Sequence, residues 1–75
     1  MAQFEVKAER GTWSGSGDST ETLAVMEANV RPEDAHLSEM ALDIIETQMG
    51  NLEVGDRLAY NWACSVLDAI VVRTA

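Results

Sequence analysis

Residues Arg57 to Val72 run RLAYNWACSVLDAIVV, and how this stretch is read decides the fold. Placed on a helix, at about 100° per residue, Arg57, Asn61, Ser65 and Asp68 gather on one narrow face. Leu58, Ala59, Tyr60, Trp62, Ala63, Cys64, Val66, Leu67, Ala69, Ile70 and Val71 cover the rest of the circumference. A helix that is apolar around most of its surface is buried on several sides. A strand reading competes, because Leu58, Tyr60, Trp62, Cys64 and Val66 alternate. That alternation breaks at Leu67, whereas the helical sort holds to the end of the stretch. The expectation is therefore a core helix over 57–72, with Ile70-Val71-Val72 able to turn extended.

The segment before it predicts a second helix over 33–49. Pro32 suits a first turn, and Glu33 and Asp34 oppose the positive end of the helix dipole. Leu37, Met40, Ala41, Ile44 and Ile45 form an inward stripe, and Gly50 is a natural stop. Asn51 to Asp56, NLEVGD, is a short connection with Leu52 and Val54 tucked in and Asp56 as N-cap. So short a link predicts that the two helices are antiparallel.

At the N-terminus, Gln3 to Glu9 alternates, with Phe4, Val6 and Ala8 on one side and Glu5, Lys7 and Glu9 on the other. That is the period of a half-buried strand. Arg10 to Thr20, RGTWSGSGDST, has the composition of a flexible Gly/Ser loop. Trp13 within it either folds back on the core, the commoner arrangement, or stands out as a contact. Asp18 followed by Glu21 has the spacing of a capping box and predicts a helix over Ser19–Asn29, with Leu23, Met26 and Val30 inward. The same residues can also be read as a strand, TLAVMEANV over 22–30, forming a hairpin with Gln3–Glu9. The fold class expected is α+β. A single small domain packs an N-terminal strand or β-hairpin on two antiparallel helices, and the alternative is a mostly helical three-helix arrangement.

A chain of 75 residues buries too small a share of its surface to be more than marginally stable unless something staples or pairs it. One cysteine and one histidine provide neither an internal disulfide nor a structural zinc site. Packing alone, or packing plus homodimerisation, must hold the fold. Thirteen acids against five bases give a net charge of −8. This argues against nucleic acid or an anionic membrane as the direct partner, since phosphate contacts need Lys and Arg. It suits a partner with a basic surface, or merely keeps a small protein soluble. The sequence contains no apolar run of signal-peptide length and none of membrane-spanning length, so a cytoplasmic location is expected.

Catalytic motifs do not survive inspection. Ser14, Ser16 and Ser19 lack the spacing of a nucleophile elbow, and His36 is the sole candidate base. Gly15-Ser16-Gly17 begins like a dinucleotide fingerprint, but Thr20 stands where the third glycine belongs. Cys64 reads as a buried small hydrophobe, and no Asp-x-Asp-x-Asp-Gly calcium loop is present. No enzyme activity, cofactor or metal is expected.

One constellation carries a functional expectation. On the 33–49 helix, Glu39, Asp43 and Glu46 fall within about 60° of one another, opposite the apolar stripe. They step along the axis at a spacing similar to the phosphates of a nucleic-acid strand. Glu33 and Asp34 extend the row, and no Lys or Arg lies between Pro32 and Asp56. Such a row associates quickly, and in a salt-sensitive way, with a groove lined by arginine and lysine. The expected partner-binding residues are Glu33, Asp34, Glu39, Asp43, Glu46 and Trp13. The expected function is occupation of a basic surface on a larger protein. In its sharpest form it mimics nucleic acid and inhibits a nucleic-acid-binding complex, as phage-encoded anti-restriction or anti-CRISPR proteins do. That comparison rests on size and charge. The alternative is a homodimeric structural or adaptor protein whose acidity serves solubility only, with Trp13 or Trp62 buried between two copies.

Overall fold

The computed structural model describes residues 1–62 and 67–75. Its order is β1 (Phe4–Ala8), β2 (Ser14–Gly17), α1 (Ser19–Ala28), a 3-10 turn (Pro32–Asp34), α2 (Ala35–Met49), β3 (Arg57–Trp62) and β4 (Leu67–Arg73). The strands form one antiparallel sheet in the order β2-β1-β4-β3. The fold is α+β, and both helices pack on the same face of the sheet, α1 over β1 and β2, α2 over β3 and β4. The two chain ends meet at the centre of the sheet, where the Gln3 amide donates to the Ala75 carbonyl at 3.1 Å.

The helix expected over 57–72 is not there. Residues 57–62 and 67–72 lie in two strands of a hairpin, in which Trp62 pairs with Leu67. Leu58 and Tyr60 turn toward the helices in β3, and Ala69 and Val71 do so in β4. Inward positions are even-numbered in one strand and odd-numbered in the next. When a single helix is imposed on such a pair, the two phases fill different faces and the projection looks apolar all round. The second helix of the expected pair is instead α1, and the alternative strand over 22–30 gives way to it. The expectation for Cys64 lies outside the described residues.

The Gly/Ser stretch expected as a loop contains a strand. Ser14–Gly17 is an edge strand in register with β1, with Gly15 opposite Val6 and Gly17 opposite Phe4. Gly15 and Gly17 face α1 closely, while Ser14 and Ser16 are exposed on the other side. Asp18 then caps α1 as its spacing predicts. Its Oδ1 accepts from the Glu21 amide at 2.8 Å, and Glu21 Oε1 accepts from the Asp18 amide at 3.1 Å.

The core is Phe4, Val6 and Ala8 from β1, Met26 from α1, Ala41, Ile45 and Met49 from α2, and Ala69 and Val71 from β4. Full burial of side chains the size of Met26, Ile45 or Met49 contributes about 1.5–3 kcal/mol each. Among the described residues, the side chains of Thr22 and Ser38 are buried beside them and satisfied locally, whereas Asp68 Oδ1 is buried without a hydrogen-bond partner. The Thr22 hydroxyl donates to the Asp18 carbonyl at 2.9 Å, and the Ser38 hydroxyl to the Ala35 carbonyl at 2.8 Å.

The inward face of α2 is rotated from the expected stripe. Ser38, Ala41, Ile45 and Met49 are buried, whereas Met40 is 64% and Ile44 39% exposed. In the connection, Leu52 packs on the core but Val54 is exposed. Asp56 is not a helix cap. Its Oδ2 accepts from the Glu53 amide at 2.9 Å and closes a turn leading into β3, with Gly55 at φ 91°.

Candidate functional site

The rotation of α2 changes where the acidic row lies. Glu39, Asp43 and Glu46 are all exposed, but they are not opposite the core. They sit on the flank that turns toward α1, where they line an open cleft of about 360 Å³ together with Leu23, Glu27 and Leu42. Each helix contributes a leucine followed four residues later by a glutamate, Leu23 with Glu27 and Leu42 with Glu46. Residues four apart share a helix face, so the two pairs meet across the seam between the helices. The leucines are half-buried and pack against the core, forming an apolar floor with carboxylates around it.

Sequence reasoning omitted Leu23, Glu27 and Leu42. The matched Leu-x-x-x-Glu spacing in both helices was the available signal, but it gains meaning only once the helices are known to be neighbours.

Glu33 and Asp34 do not extend this row freely. Arg31, immediately before Pro32, reaches Asp34 Oδ2 at 3.0 Å and Glu33 Oε1 at 3.6 Å. These pairs, with Glu33 exposed and Asp34 half-buried, hold their carboxylates near a cation and so weaken the charge they present. Glu27, Glu39, Asp43 and Glu46 make no ion pair among the described residues. Trp13 stands apart from the cleft. Its carbonyl accepts from the Ala8 amide at 2.9 Å in the turn between β1 and β2, and its half-buried side chain packs against the core.

The asymmetry extends to the whole molecule. From Asp18 to Met49, the stretch that holds both helices carries eight acids and one base, Arg31. The remainder carries five acids and four bases. Nearly all the net charge therefore resides in the helical layer, and the strands and their connections are almost neutral. At physiological ionic strength the Debye length is about 8 Å, so the cleft carboxylates reinforce one another while the far side of the sheet is screened from them.

Among the described residues, no group of three or more His, Cys, Asp and Glu could hold a metal ion. No helix among them is long and apolar enough to cross a membrane. Comparison with protein families, curated proteins and solved structures finds no match for the chain.

Proposed function

We propose that this chain is a small acidic protein that binds a basic surface on a larger protein through the α1–α2 cleft. The observation that carries the reading is the cleft itself. Carboxylates from two helices surround a leucine floor, with no cation paired to them among the described residues. A lysine or arginine of the partner can lay its aliphatic stem along Leu23 and Leu42 and place its charged head among Glu27, Glu39, Asp43 and Glu46. Long-range attraction speeds the encounter, and the charge-assisted hydrogen bonds slow dissociation.

In its sharpest form the acidic layer stands in for nucleic acid and inhibits a nucleic-acid-binding complex, as an anti-restriction or anti-CRISPR protein of a phage would. This role requires no catalysis and no cofactor, and it places the protein in the cytoplasm with its target. The test is capture of partners from host-cell lysate at low and moderate salt, repeated with added nucleic acid and with a variant carrying Glu39→Gln, Asp43→Asn and Glu46→Gln. The expected result is a nucleic-acid-binding protein that is released by salt, displaced by nucleic acid and missed by the variant. A partner that nucleic acid does not displace refutes mimicry. A partner held equally by the variant refutes the cleft as the binding surface.

A further inference from the structure

Both helices cover one face of the sheet, and the opposite face is open among the described residues. The register arranges its side chains in rows across the strands, with Asn61 and Asp68 paired in one at the end and two others at the centre. One central row is Ser16, Glu5, Val72 and Arg57; the next is Ser14, Lys7, Ile70 and Ala59. Glu5 and Lys7 are exposed, and Ile70 and Val72, in a central strand, are only half-buried. A depression of about 420 Å³ lies over them, edged by Ser14 and Ser16. β-Branched residues in a central strand facing water leave apolar area that a second layer would cover.

We propose that this face joins two copies of the chain about a two-fold axis that crosses the strands between the two central rows. The argument is charge complementarity. Such an axis exchanges the rows, so Glu5 of each copy faces Lys7 of the other, and Ile70 of each faces Val72 of the other. An isologous interface must be complementary to itself, and a row pair with glutamate and lysine at matching positions meets that condition. The helical layer does not, because eight acids against one base would face the same set. For a molecule with a net charge of −8, the nearly neutral sheet side is where a second copy meets least repulsion.

The dimensions set the strength. Four strands about 4.8 Å apart and roughly five residues long present about 300 Å² in plan. Two such faces cover about 600 Å² together, below the roughly 1,000 Å² of a stable interface, so the dimer is weak and transient and forms only at high protein concentration. It leaves the two α1–α2 clefts facing outward on opposite sides, able to engage two basic sites at once. The dimer itself does not depend on what those clefts bind.

Sedimentation equilibrium from about ten micromolar to about one millimolar, at moderate salt, tests the proposal. The wild type is expected to pass from monomer to dimer across that range. Glu5→Lys and Lys7→Glu each place like charges together and should weaken the dimer at least tenfold, while the double variant, with the charges exchanged, should regain it. Ile70→Asp should remain monomeric with an unchanged circular dichroism spectrum. If Ile70→Asp unfolds instead, the exposed Glu5 and Lys7 exchange still decides the question. A wild type that stays monomeric throughout overturns the proposal and leaves the face to a different occupant or to none. A dimer indifferent to the Glu5 and Lys7 changes overturns it equally.

Discussion

A Cβ added to Gly15 would lie 2.8 Å from Val25 Cγ2. Helix α1 therefore rests directly on the edge strand, at a distance only a glycine permits. Val25 is β-branched and cannot swing away cheaply within a helix. Gly15→Ala is expected to cost about 1–3 kcal/mol through overpacking. In the double variant Gly15→Ala, Val25→Ala the crowding is relieved, so less is lost than the two single changes predict together. A double-mutant cycle of urea midpoints measures this coupling, and strictly additive losses would show that the contact does not bear on stability.

The same pair of residues shows why this part of the fold was hard to read. SGSG alternates with period two, as a strand should, but its inward member has no side chain. A search for apolar periodicity finds no signal there, and composition suggests a flexible loop. The hairpin of β3 and β4 misled for a different reason, since the inward parity changes between Tyr60 and Ala69. Where local chemistry is decisive, sequence and structure agree. The alternation of Phe4, Val6 and Ala8 marked β1, and the Asp18/Glu21 spacing marked the start of α1. The acidic row was visible residue by residue. Its place at the seam was not, because that depends on the rotation of α2 about its axis, which Met40 and Ile44 obscured by being apolar and exposed.

That rotation can be checked at two adjacent residues. Ile45 is fully buried, and Ile44 is 39% exposed. Ile45→Ala should cost about 2–5 kcal/mol through lost contacts and the cavity left behind. Ile44→Ala should cost well under half as much. Denaturant midpoints for the two variants provide the comparison. Equal losses would mean that the two residues share the core face, as the original stripe of Leu37, Met40, Ala41, Ile44 and Ile45 implied.

The capping box at the start of α1 predicts a modest, local loss. Asp18→Ala removes the acceptor for the Glu21 amide and leaves an unsatisfied donor in the first turn. The expected cost is about 1 kcal/mol, and Asp18→Asn or Asp18→Ser should restore most of it. In a domain of 75 residues, a loss of that size lowers the melting temperature by about 4–8 °C, which thermal unfolding by circular dichroism resolves easily. A change below one degree would show that the cap is not holding the helix.

The acidic cleft makes a prediction about stability independent of any partner. Glu39 and Asp43 are four residues apart on α2, and Asp43 and Glu46 three apart, so each pair repels along the helix. Glu27 adds a fourth carboxylate from the neighbouring helix. Replacing Glu39 and Glu46 with glutamine and Asp43 with asparagine removes this repulsion while keeping shape and helix propensity close to the original. The triple variant should be at least as stable as the wild type at low salt, and its advantage should shrink as salt screens the carboxylates. Groups selected for folding are rarely improved by deletion, whereas groups held together for binding often are. Thermal unfolding at about 10 mM and about 500 mM salt distinguishes the cases. A variant markedly less stable than the wild type at both would mean that the row supports the fold, and its place in partner binding would lose its physical basis.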